Sequence, residues 1–240
     1  IFIILLISFD VLRFAKKWQP FDPVNKVYPK TPITDYYEKS DSVYRYIGLS
    51  GGEDAVFYGK PILNGYDPLY IKRYGEFISY VATGDTKDLT RYVVEFPKRG
   101  RYTSQAINLL GVKYIVHKVS DGEYPWAFPF SDYSPDQFRK VFDDGKYRVF
   151  ENMKVFPRAF VVHDYSVISD KEKILKKIFD KNFNLQSSLV LEEDPGIGIS
   201  VGSASAKITK YSANRVVVDV DSSSEGVLFL SDSYYPGWNV

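Results

Sequence analysis

Ala204-Ser-Ala-Lys-Ile-Thr-Lys-Tyr211, Arg215-Val-Val-Val-Asp-Val220 and Gly226-Val-Leu-Phe-Leu230 are three closely spaced runs of alternating or wholly apolar character. Asn214 and residues 221–225 supply turn chemistry between them. Short strands at this spacing predict an antiparallel sandwich. Working backward, residues 188–192 make a further strand, so the sandwich is expected to begin near residue 187 and to be unfinished at Val240. Residues 169–179 form a helix in which Ser169 is the expected cap, Glu172 follows three residues later, and Ile174, Leu175, Ile178 and Phe179 make one apolar face. Before it, strands at 147–150 and 159–162 flank Phe156-Pro157-Arg158.

The first half mixes helix and strand signals. Thr34 is positioned to cap a short helix to Lys39, a strand is expected over 44–49, and Gly51-Gly52 makes a turn. A Tyr- and Gly-rich loop containing Asn64-Gly-Tyr-Asp-Pro-Leu69 leads into a helix expected over 69–78. Residues 104–110, Gly111 and residues 112–116 read as helix, glycine cap and strand. The predicted fold class is therefore α+β, an N-terminal mixed α/β subdomain followed by a truncated antiparallel β-sandwich. Its expected divisions are 1–21, 22–33 (a Pro-rich linker), 34–154, and 155–240, the last a strand-helix-strand segment leading into the incomplete sandwich.

Residues 1–9 are almost wholly apolar, and Asp10, Arg13, Lys16, Lys17 and Trp18 follow. A bilayer span needs ~20 apolar residues. The run is read as the end of a transmembrane helix with Trp18 near the interface, in preference to a signal remnant, whose charge order would be reversed, or a buried core helix. Basic residues after the run would on their own place the following domain in the cytoplasm.

The composition is globular, 45% hydrophobic and 25% charged, and 31 basic against 30 acidic residues leave no field that would favour nucleic acid. With no cysteine there is no disulfide, thiolate nucleophile or Cys-ligated zinc. His117 and His163 lack a second ligand at metal spacing, so no metal, catalytic or cofactor-binding residue is assigned. Gly196-Ile-Gly-Ile-Ser-Val-Gly202 follows Pro195 and precedes strands, which suits a loop rather than the phosphate cradle of a βαβ unit. Asp143-Asp144 and Glu192-Glu193-Asp194 read as solvated turns rather than a glycosidase pair. The best binding candidate is the aromatic turn Tyr234-Tyr235-Pro236-Gly237-Trp238 with Asp232. Exposed rings there would offer flat faces to a sugar and the carboxylate would accept hydroxyl protons. The competing assignment, a tight turn closing the end of the sandwich, is preferred.

Several segments, in order, resemble the extracytoplasmic region of the bacterial YfhO-like multi-pass membrane proteins, relatives of the GT-C glycosyltransferases. They are Phe9-Asp-Val-Leu12, Tyr28-Pro-Lys-Thr-Pro32, Gly65-Tyr-Asp-Pro-Leu69 with Arg73-Tyr74, Asn108-Leu-Leu-Gly-Val-Lys-Tyr-Ile-Val116, Phe156-Pro-Arg-Ala-Phe-Val-Val162, residues 206–218 with Tyr211 and Asn214, and Leu228-Phe-Leu-Ser-Asp-Ser-Tyr-Tyr-Pro-Gly-Trp238. The resemblance implies a parent protein whose upstream transmembrane bundle carries catalysis, with a divalent metal and a polyprenyl-phosphate-linked sugar donor. It places this region outside the cytoplasm, against the local charge bias. There it would assist an acceptor such as a cell-envelope glycan or polymer, with the N-terminal helix in the membrane. An anchored carbohydrate-binding or protein-interaction module without enzymatic activity is the alternative. The family's sandwich continues beyond Trp238, so an exposed edge is expected along residues 227–230.

Overall fold

A computed structural model describes residues 1–18, 23–48, 57–63, 70–87 and 96–240. The expected Gly51-Gly52 turn and the 64–69 loop lie outside the described residues. The chain divides into two compact units, Ile1–Lys39 and Ser40–Val240.

In the first unit, α1 (Phe2–Trp18) is followed by a single helical turn, α2 (Val24–Val27), and by α3 (Pro32–Lys39). The apolar residues of α1 are exposed all round the helix, with Ile3 at 72% and Phe9 at 70%. Among the described residues, no helix is long and apolar enough to cross a membrane. Helix α3 begins two residues before the expected Thr34. Thr31 caps it, its hydroxyl accepting from Thr34 N at 3.4 Å, and Pro32 takes the first helical position, where no amide donor is needed.

The second unit is α+β with a sandwich-like C-terminal part. Its first sheet contains β1 (Arg45–Ile47), β2 (Val112–Lys118), β3 (Phe138–Asp143) and β4 (Tyr147–Asn152) in the order β1-β2-β4-β3. Strands β1 and β2 run parallel, and the other two pairings are antiparallel. The crossover from β1 to β2 carries α4 (Lys72–Thr83) and α5 (Thr103–Leu109). Gly84 ends α4 at φ +85°, its amide donating to Tyr80 O at 2.8 Å, a left-handed cap that a side chain would strain.

After β4 the chain forms β5 (Ala159–Val162), then β6 (Asp164–Val167), α6 (Lys171–Ile178) and β7 (Ser188–Leu191), a parallel strand-helix-strand unit. Residues 188–191 therefore pair with β6 and do not open the antiparallel part, which starts instead at the hairpin of β8 (Ala204–Ser212) and β9 (Arg215–Ser222). Strand β10 (Val227–Leu230) pairs antiparallel with β5, Phe229 opposite Phe160, and their rings lie 4.8 Å apart. Among the described residues, β5 is the only strand laddered to β10.

One apolar core joins these pieces. Ile47, Val112 and Ile115 of the sheet meet Ile78 and Val81 of α4, Ala106 and Ile107 of α5, Leu175 of α6 and Phe179 at its C-terminal end. Phe179 stacks with Tyr80 and Tyr102 at centroid distances of 5.7 and 4.9 Å. Residues on both sides of position 155 thus bury the same apolar surface.

Candidate functional site

Three chain segments converge on Asp232. The end of β10 lies beside the start of β5, and one further bond, Ser231 N donating to Arg158 O at 2.8 Å, carries the ladder past β10. That bond sets Arg158, just before β5, opposite Ser231 and beside Asp232, which follows it. Arg158 Nη2 donates to Asp232 Oδ1 at 2.8 Å and to the Tyr211 hydroxyl at 3.0 Å, and Nη1 donates to Val43 O at 2.5 Å. Arg45, at the start of β1, donates from Nη2 to the same Oδ1 at 2.7 Å and to Ser231 O at 2.8 Å. Its Nη1 donates to Leu110 O at 2.6 Å. The Tyr211 hydroxyl from β8 lies 3.1 and 3.2 Å from the two carboxylate oxygens.

Two guanidiniums sharing one carboxylate leave a net positive charge in a largely desolvated place. Arg158 is 2% exposed, and its Nε is buried without a partner. Burial, reinforced by the Arg158 charge, lowers the Arg45 pKa, while Asp232 opposes the shift. Gly111 makes room for this arrangement. It sits at φ +65°, and a Cβ there would meet Arg158 Cδ at 2.3 Å, so only glycine fits both the backbone and the guanidinium stem.

Arg45, Ser231 and Asp232 from this cluster line one end of a cleft of about 540 Å³. Phe77, Ile71, Leu109, Leu110, Ile178 and Phe229 make its apolar wall, and Arg45, Arg73, Tyr74, Asp232 and Tyr234 its polar rim. Burial raises the Tyr74 phenol, and the Arg45 charge opposes that shift, so Tyr74 stays protonated and can donate. Arg73 is half exposed and pairs with Glu192 at 2.9 Å.

Of the four residues singled out in the aromatic turn, Asp232 and Tyr234 line this cleft, whereas Tyr235 and Trp238 do not. All three rings are exposed, Tyr234 at 65%. The Asp232 carboxylate is already engaged by both arginines and Tyr211. Arg45, Arg158 and Tyr211 escaped assignment to a site from sequence, although a charged residue opening each of two apolar strands was the available signal.

The other candidates take structural places. Asp144 Oδ1 accepts from Lys146 N and Tyr147 N at 2.9 and 2.6 Å in the β3–β4 turn. Lys140, the Gly145 amide and Arg148 hold Asp143 down to about 2. Asp194 Oδ1 accepts from Gly196 N at 2.9 Å, and residues 196–202 form a loop leading into β8. His163 Nδ1 lies 2.9 Å from Glu225 O, with Ser200 and Ser224 hydroxyls at 3.4 and 3.3 Å. A carbonyl only accepts, so Nδ1 donates to Glu225 O, and Nε2 is buried without a hydrogen-bond partner. Among the described residues no hydroxyl hydrogen-bonds that nitrogen, so the geometry is not that of a serine nucleophile held by its base. Among the described residues, no group of three or more His, Asp or Glu is arranged to hold a metal ion.

Compared with known proteins, the chain matches no protein-family model, no curated protein and no solved structure.

Proposed function

We propose that this chain is the extracytoplasmic, non-catalytic part of a YfhO-like membrane glycosyltransferase-like protein, and that its cleft holds an acceptor glycan or polymer for an active site elsewhere in the parent. The observation that carries the reading is the cleft itself, where an apolar wall ends in a rim of two arginines, a protonatable phenol and the exposed Tyr234 ring. Such a lining presents hydroxyl partners beside flat apolar area, which is what a saccharide needs. The order of the family-like segments supports the parent assignment. The exposure of the apolar residues in the first half of α1 supports membrane contact, because a helical stretch that is apolar all round is stable when something apolar surrounds it. The metal and the polyprenyl-phosphate donor belong to the upstream catalytic region in this reading.

Calorimetric titration of the full chain with cell-envelope polymer fragments tests the binding claim. Tyr234→Ala is expected to weaken binding by about tenfold, as truncating an aromatic anchor does, and unchanged affinity removes the cleft from the proposal. The same cleft would serve a module anchored through α1 with no linked enzyme. Further hydrophobic spans encoded upstream favour the first form, and their absence favours the second.

A further inference from the structure

We propose that a second surface, on the chain between β2 and β3, binds a neutral saccharide ring. Tyr124 and Trp126 stand there with ring centroids 4.5 Å apart and planes 11° from parallel. Both are more than half exposed, at 56% and 58%. Two rings stacked on each other at a surface cover only their facing sides, and their outer faces and edges remain available to the C–H face of a pyranose. The backbone beneath them is fixed. Tyr124 N donates to Asp121 O at 3.0 Å, Ala127 N donates to Tyr124 O at 2.9 Å, and Lys98 Nζ donates to Trp126 O at 2.5 Å. A platform ordered before binding loses little entropy when it is used.

A pocket of about 300 Å³ opens beside Tyr124, and Arg99, His117, Glu123, Ser131 and Arg148 share its lining. The lining combines donors with acceptors, and sugar hydroxyls both give and take hydrogen bonds. Its charges point away from a strongly anionic occupant. Arg99 has Asp132 at 3.7 Å, Arg148 has Asp143 at 3.1 Å, and Glu123 adds a further carboxylate. A ring stacked on the Tyr124–Trp126 pair with hydroxyls directed into this pocket meets both features together. None of these residues lines the cleft at Asp232, so the two sites stand or fall separately.

The chain has three tryptophans, and the Trp18→Phe, Trp238→Phe double variant leaves Trp126 as the sole indole emitter. That protein would be titrated with maltotetraose and cellotetraose while indole emission is followed. At least one tetramer is expected to give a saturable change, weakened at least about tenfold by Tyr124→Ala. Glu123→Gln is expected to weaken it as well, while Tyr234→Ala at the cleft leaves it unaltered. No saturable response to either tetramer overturns the proposal, as does a response that survives Tyr124→Ala. A response lost with Tyr234→Ala instead assigns the binding to the cleft, and a response to oligogalacturonate alone overturns the neutral-sugar assignment. Tyr124 is exposed, so its alanine variant should keep the parent unfolding midpoint, and Glu123→Gln provides a second reading that leaves both rings in place.

Discussion

Asp232 shows how far a single residue's role depends on its neighbours. As a carboxylate next to an aromatic turn it reads as a sugar acceptor, yet its Oδ1 takes one bond from each of two guanidiniums, that of Arg158 buried and that of Arg45 nearly so. Removing it would leave Arg45 and Arg158 facing each other without a counter-charge, and an uncompensated buried charge is far costlier than the worth of the pair. Asp232→Ala is therefore expected to destabilise the protein by roughly 3 kcal/mol, discounted from a fully buried pair because the carboxylate is partly exposed. Asp232→Asn, which keeps an acceptor oxygen, should cost less. Chemical denaturation midpoints check both, and an Asp232→Ala midpoint equal to the parent's would mean the three-way contact contributes nothing. Gly111 was legible as a helix cap, but its second duty, clearance for the Arg158 stem, needs the fold, because the two positions are far apart in the chain.

Among the elements, α6 was legible because its apolar residues recur at helical spacing, and only its first turn moved. The structure places the cap one residue later than Ser169, with Asp170 Oδ1 accepting from Lys173 N at 2.8 Å. Asp170→Ala is expected to cost about 1 kcal/mol, the usual worth of a cap, and Ser169→Ala nearly nothing. Equal losses from the two, in thermal melts followed by circular dichroism, would return the cap to Ser169. Strand β3 was not legible. Its pairing with β4 slips between Lys140 and Phe142, and the extra residue breaks the period-two pattern that identifies a strand. Strand β6 was missed because its four residues, Asp-Tyr-Ser-Val, offer too little apolar alternation. That omission also hid the parallel pairing of β7, since a strand's sequence does not say which neighbour it takes.

For Ser40–Val240 as a whole, the shared core and its many tyrosines set the response to pH. Burial is the first cause raising the Tyr44, Tyr74, Tyr114 and Tyr133 phenols above their ordinary value. A group whose folded pKa lies above its unfolded one contributes stability that is complete below the unfolded pKa and is lost as pH rises through the folded pKa. Stability is thus expected to be level up to about pH 10 on this account and to fall above it, as unfolded phenols ionise first. Denaturant midpoints at pH 9 and pH 11.5, read with tyrosinate absorbance, check this, and a midpoint that holds while the buried phenols titrate would refute it. By itself the sequence determined the α+β class, the positions of most helices and strands, and the exclusion of cysteine chemistry, because periodicity, glycine placement and composition are local properties of the chain. Only the tertiary structure decided that α6 shares a core with the first sheet, that Asp232 is held by Arg45, Arg158 and Tyr211, and that Tyr124 and Trp126 stand stacked at the surface. Each of those depends on contacts between separate segments or on which faces the packing leaves in water, and neither is written in local spacing.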